Sequence, residues 1–124
     1  MSRRRLGQRW ERRACTFLRS RGLRILQTGY QCRFGEIDII GMDGQTLTII
    51  EVRARGGGSV ACALETVDTH KRRKLVRTAR HLLMRRPEWS DRPLRFDVIA
   101  IDNIDTPQAH YEWIRNAFDA ESAL

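Results

Sequence analysis

Between Leu6 and Gly22 the apolar residues Trp10, Ala14, Phe17 and Leu18 recur at i, i+4, i+7 and i+8, the stripe by which an α-helix lies on a core. Gly22 supplies the stop. At about 100° per residue, Arg5, Arg9, Arg12, Arg13 and Arg19 gather on the opposite face, while Glu11 falls at the edge of the apolar stripe beside Leu18. An acid so placed leans toward whatever the helix packs on.

After Gly22 the pattern turns from helical to extended. Leu23–Thr28, Glu36–Ile40 and Thr46–Ala54 are short, β-branched and bounded by turn residues, which predicts three strands of a meander. Asp43-Gly44 between the second and third signals a tight hairpin, with a type I′ turn as the expected form because that turn needs positive φ at both central positions. Gly56-Gly57-Gly58-Ser59 reads as a flexible loop. From about Thr66 to Arg86, Leu75, Val76, Ala79, Leu82 and Leu83 form a second helical stripe, stopped by Pro87, with Arg73, Arg77 and Arg80 on the outer face.

Leu94–Ile101 is apolar on both faces, which suits a strand inside a sheet covered by helices. A strand, a helix and a strand imply a parallel, right-handed crossover. The tail from Gln108 to Phe118 alternates weakly through Tyr111 and Trp113, predicting a last edge strand that turns helical at its end. The expectation is one α/β domain over residues 1–124, a mixed sheet flanked by helices.

Composition narrows the partners. The chain has 124 residues and a net charge of +8 from 23 Lys and Arg against 15 Asp and Glu, with a pI near 10.6, so a polyanion is the expected partner: nucleic acid first, an anionic membrane surface second. The longest apolar runs, such as Val98–Ile101, fall far short of the roughly 20 residues that span a bilayer. Cys15, Cys32 and Cys62 are odd in number, widely spaced and form no C-x-x-C pair, which disfavours a disulfide scaffold or a thiolate zinc site and points to a reducing compartment. With no apolar stretch after the Arg-rich start, a signal peptide is not expected and the protein reads as cytoplasmic.

The chemistry concentrates around the hairpin. With an even-length loop centred on Asp43-Gly44, Glu36 lies opposite Glu51 and Asp38 opposite Ile49, and period 2 adds Arg53 to the same face. Asp38 and Glu51 are then diagonal neighbours, about 7–8 Å apart at Cα. Two carboxylates so placed suit Mg²⁺ or Mn²⁺, hard cations that take oxygen ligands and share their coordination with water and phosphate. A structural ion pair of Arg53 with Glu36 or Glu51 fits the same pattern equally well.

These residues resemble a known family. Gly35-Glu36-Ile37-Asp38, followed across the hairpin by Glu51-Val52-Arg53, is similar to the D-x(n)-E-x-K core of the restriction-endonuclease-like, or PD-(D/E)xK, superfamily, and more closely to its uncharacterised YraN-like family. The likeness also takes in Gly7 and Glu11–Leu18, Val67 with Lys71, Arg95-Phe96-Asp97-Val98 and Asn116-Ala117-Phe118, in that order along the chain. It implies a restriction-endonuclease-like fold and a nuclease-type site in which Asp38 and Glu51 bind the metal, Glu11 assists, and Glu36 and Arg53 complete the catalytic set. The departure is Arg53, where the superfamily usually has Lys. A guanidinium stays protonated above about pH 12, so it can orient water or offset charge but cannot act as a base.

Lys71, Arg72, Arg73, Lys74 and Arg77 are read as a phosphate-binding surface, and Lys71, at the edge of the second helix's apolar stripe, can lean toward the sheet. His70, His81 and His110 lack metal-ligand spacing, and Trp89 lies outside any stripe and is free to stack on a base. Three functions answer to this sequence: a Mg²⁺- or Mn²⁺-dependent nuclease acting on DNA, a catalytically inactive nucleic-acid-binding protein, and an interaction protein whose acidic patch is an ion-pair network.

Overall fold

The computed structural model describes residues 3–55, 60–104 and 106–120; the side chains of residues 3–7 and 60–62 are left aside, so the predicted loop at Gly56–Ser59 and the side chains of Arg5 and Cys62 lie outside what is described. Helix α1 (Arg3–Ser20) leads into β1 (Arg24–Cys32), β2 (Gly35–Asp43) and β3 (Thr46–Ala54). A short α2 (Val60–Glu65), α3 (Thr69–Arg85) and a 3₁₀ turn (Pro87–Trp89) precede β4 (Leu94–Asp102) and β5 (His110–Phe118). The five strands form one sheet in the order β1-β2-β3-β4-β5, antiparallel except for the parallel pair β3/β4 that α2 and α3 join.

The sheet lies between two helices because both of its faces are apolar. On one face Trp10, Ala14, Cys15 and Leu18 of α1 pack with Leu23, Ile39, Ile50, Ile99 and Ile101. On the other, Leu75, Val76, Ala79 and Leu82 of α3 pack with Ile37, Ile40, Leu47, Ile49, Phe96 and Val98. Each large aliphatic side chain so buried contributes about 1.5–3 kcal/mol. β4 supplies residues to both clusters, as its two-sided apolar pattern predicts.

Several expectations change. The hairpin turns at Gly44-Gln45, not Asp43-Gly44, because Asp43 pairs with Thr46. Positive φ at Gly44 (62°) and not at Gln45 is the pattern of a type II′ turn. Ile40 therefore stands opposite Ile49, where Asp38 was expected. The slip is two residues, so along the paired stretch from Ile39 to Asp43 each side chain keeps its expected face.

The second helix begins at Thr69, capped by the Asp68 carboxylate, which accepts from the Lys71 N–H at 2.9 Å. The tail stays extended through Phe118 instead of turning helical. A register shift between Phe96 and Val98 and Asn116 at φ 54° absorb the irregularity, and Phe118 stacks on Phe96. Trp89 is not a free stacking platform, since it packs on the α3-side core with the Arg86 guanidinium over its ring. No helix among the described residues is long and apolar enough to cross a membrane.

Candidate metal centre

The site forms where β2 and β3 part. Their ladder ends at the pair Ile39–Ile50, and one residue further on the Asp38 carboxylate accepts the Val52 N–H at 2.8 Å. Ile37 packs in the α3-side core while Ile39 packs in the α1-side core, so the two-residue alternation is broken around Asp38. Gly29, between the β1 residues that pair with Ile37 and Ile39, has φ 65° and gives the neighbouring strand the matching twist. A carboxylate thus occupies the place where the next ladder bond would form.

Glu51 is 5% exposed, and its Oε2 is shared by Arg53 Nη2 and Lys71 Nζ, each at 3.1 Å. Burial first, then hydrogen bonding to Glu51 and repulsion by its charge, push the Asp38 carboxyl up to about 9, against the Val52 N–H that favours its ionised form. On the other side of Asp38, ligand atoms of Glu11, Glu36 and Asp38 all lie within 4.8 Å of one another. The Glu11 carboxyl is also raised, by burial and then by Glu36, with Arg12 opposing. Asp38 is therefore common to two acidic contacts, one with Glu51 and one with Glu11 and Glu36.

This donor set fits a hard divalent cation. All four groups are carboxylates drawn from α1, β2 and β3, and two of them, Asp38 and Glu11, are held toward their neutral form by burial first and by neighbouring carboxylates second, a combination that a bound cation would offset. A cleft of about 400 Å³ opens beside the cluster, with Gln31, Glu36, Lys71, Lys74 and Leu75 among its walls. Gly35, at φ 151°, lets the β1–β2 turn close on α3; a Cβ there would sit 3.1 Å from Thr78 Oγ1.

Glu11, Glu36, Asp38, Glu51, Arg53 and Lys71 are thus brought together. Glu36 differs from the expected register: it pairs with Gln31 of β1 and joins Glu11 instead of facing Glu51. Sequence reasoning had given Glu36 no ligand role, and its nearness to Glu11 could not be found without the tertiary contact of α1. Lys71 belongs to the basic run read as phosphate-binding and also stands at the edge of the apolar stripe, from which it leans toward the sheet, and its ammonium reaches Glu51. The signal for this was Asp68: a cap there makes Lys71 the third residue of the helix, in the turn nearest the sheet.

The rest of the basic run divides. Arg72 donates to the Val67 carbonyl at 2.8 Å and lies over the Phe118 ring, which ties it to packing. Lys74 lines the cleft, and Arg73 and Arg77 are exposed on α3. Tyr30 O–H meets His81 Nδ1, so His81 is occupied away from the carboxylates.

A second buried acid, Asp97, has a different setting. Its oxygens accept from Arg95 Nε and Nη2 at 2.9 Å each, Trp113 Nε1 at 2.8 Å and the Asn116 N–H at 2.9 Å. Arg95 and Asn116, which carried part of the family resemblance, are here partners of one structural carboxylate.

Comparison with known proteins returns one family. Residues 10–101 match the model described as "Uncharacterised protein family UPF0102". A UPF0102 protein of Alcanivorax borkumensis is 42% identical over 120 residues, covering 97% of this chain and 96% of its own length. One from Pseudomonas aeruginosa is 40% identical over 115 residues, 92% of each chain, and one from Ectopseudomonas mendocina 43% over 115 residues, 93% and 95%. The matched stretch contains Glu11, Glu36, Asp38, Glu51, Arg53, Lys71 and Asp97.

Proposed function

We propose that this chain, which belongs to the UPF0102 family, is a restriction-endonuclease-like phosphodiesterase that depends on Mg²⁺ or Mn²⁺ and acts on nucleic acid, with DNA as the first substrate to test. The observation that carries the reading is Asp38, held near Glu51 on one side and near Glu11 and Glu36 on the other, with two cations, Arg53 and Lys71, against Glu51. A divalent cation bound by Asp38 and Glu51, with Glu11 and Glu36 adjoining, would supply Lewis acidity to a phosphodiester.

The chain's own residues have separate tasks. Arg53 offsets negative charge that develops on the phosphate, while exposed Lys74, Arg73 and Arg77 hold backbone phosphates along α3. Glu36, the most exposed of the four acids, is positioned to accept a proton from water. Free Cys15 and Cys32 agree with work in a reducing compartment, the cytoplasm.

Titration of Mn²⁺ into the wild type and Asp38→Asn, followed by single-turnover cleavage of end-labelled linear and branched DNA, tests the reading. The wild type is expected to bind Mn²⁺ and cleave; Asp38→Asn is expected to do neither. Equal Mn²⁺ heats in both proteins would overturn the site. One observation favours a second reading: Glu51 is already neutralised by Arg53 and Lys71, as in a structural ion-pair network. No uptake of Mn²⁺ by the wild type would support that network, and Mn²⁺ binding without cleavage a nucleic-acid-binding protein in place of an enzyme.

A further inference from the structure

Arg53 and Lys71 meet the same oxygen of Glu51 at the same distance, 3.1 Å, yet they are held differently. Arg53 is 26% exposed and comes from β3 itself, two residues from Glu51. Lys71 is 41% exposed, reaches in from the first turn of α3 on a flexible four-carbon stem, and stands on the wall of the cleft that Lys74 also lines. Of the two, Lys71 can leave Glu51 with its backbone unchanged, and the cleft gives its ammonium a place to go.

The charge in the cleft explains what would hold it there. Its walls carry Lys71 and Lys74 but also Glu36, whose carboxylate opposes a phosphate. Glu36 belongs to the acidic cluster with Glu11 and Asp38. A divalent cation held by Asp38 and Glu51 beside that cluster would offset the charge of Glu36 and displace Lys71 from Glu51 at once, so the cleft would change from mixed to positive.

We propose that Lys71 is an exchangeable counter-ion: it neutralises Glu51 while the divalent cation is absent, and moves into the cleft to hold a backbone phosphate of nucleic acid when the cation is bound. The proposal rests on the metal-site reading above and adds to it that nucleic-acid binding at this cleft is gated by the cation. The Asp68 cap uses only the Lys71 backbone N–H, so replacing the Lys71 side chain leaves the cap in place.

The test uses the full chain, Mn²⁺ alone as the first probe, and a short fluorescent DNA duplex with uncleavable phosphorothioate linkages as the second. Lys71→Met removes the competing cation, so Mn²⁺ is expected to bind several-fold more tightly. The same variant is expected to bind the duplex about tenfold more weakly in Mn²⁺, with a salt slope shallower by about one, and to bind as the wild type does in EDTA. Lys71→Arg keeps the charge and is expected to restore DNA affinity in Mn²⁺.

The opposite signs are the distinguishing readout, since a merely structural lysine would weaken both or neither. Unchanged or weaker Mn²⁺ binding by Lys71→Met overturns the exchange, as does an equal loss of DNA affinity with and without Mn²⁺. Failure of the underlying reading looks different: the wild type then takes up no Mn²⁺ at all.

Discussion

Two aspartates lie inside the same sheet and are treated in opposite ways. Asp97 on β4 meets a bidentate guanidinium, an indole N–H and a backbone N–H, and Arg95 is held in turn by Asp43 at 2.8 Å. Asp38 on β2 receives one backbone N–H, and its other near neighbours are carboxylates. Burial costs an acid its hydration in both places, but only Asp97 has the donors and the counter-charge that replace it. A sheet that supplies one carboxylate with donors and counter-charge and leaves another among acids sets the second apart, and this is the contrast on which the proposed metal site rests.

Making the same change at both positions gives the largest expected difference. Asp97→Asn leaves Arg95 facing an amide and should cost about 3 kcal/mol, at the low end for a broken buried pair because Asp43 still holds Arg95. Asp38→Asn should fall within about 0.5 kcal/mol of the wild type in the absence of divalent cations, since an amide accepts from Val52 and donates to Glu51 as the protonated acid does. Denaturant unfolding in EDTA measures both. Equal losses would mean that Asp38 is as structural as Asp97.

The comparison also extends to pH. Unfolded, Asp38 ionises near 3.8; folded, its carboxyl is pushed up to about 9. Across that window the folded chain keeps a proton that the unfolded chain has released, so stability declines as pH rises from the ordinary carboxylate range toward 9. Unfolding in EDTA at a series of pH values should show this decline in the wild type and in Asp97→Asn. It should be flatter in Asp38→Asn, and an unaltered slope there would assign the proton to another group.

Much of this contrast could be read from the chain before folding was considered. Trp10, Ala14 and Leu18 placed α1 on the sheet and aimed Glu11 at it, and the two-sided apolar run at Leu94–Ile101 located β4 inside the sheet. The partners of Asp38 were harder to read. A turn at Asp43-Gly44 and one at Gly44-Gln45 satisfy the same glycine, and they differ by the two residues that decide whether Asp38 approaches Glu51 or Ile49. A contact between distant elements such as Trp113 with Asp97 has no local signature, since it depends on how β5 is seated. Faces follow from periodicity, whereas partners follow from register and packing.

Around Asp97 the Arg95 guanidinium is committed, but on α3 Lys74, at the cleft, and Arg77 are exposed, and on the proposed reading that difference predicts where phosphate binds. Replacing both with Ala should weaken DNA binding about tenfold at moderate salt and reduce the slope of log K against log salt by nearly two, about 0.9 for each lost phosphate contact. Fluorescence anisotropy over a salt series reads both quantities. Loss of affinity with the slope unchanged would place these residues away from the backbone.

The smallest effect is expected at Arg53, and it bears on why Asp38 and Asp97 differ in their cations. Arg95 is bidentate on Asp97, the use to which a planar guanidinium is best suited. Arg53 makes one bond to Glu51 through Nη2 while its buried Nε has no partner, so its fork is only partly used. A single point charge would serve Glu51 as well, and an ammonium, unlike a guanidinium, can also give up its proton and act as a base. Arg53→Lys is therefore expected to raise single-turnover cleavage in Mn²⁺ by a few-fold, and Arg53→Ala to lower it, with DNA affinity checked in parallel because a change in binding would imitate a change in rate. Arg95→Lys at the structural site should instead destabilise the fold, since one ammonium cannot reproduce two bonds to Asp97 and a third to Asp43. If Arg53→Lys lowers the rate while binding is unchanged, the guanidinium itself is needed beside Glu51, and the two arginines are alike after all.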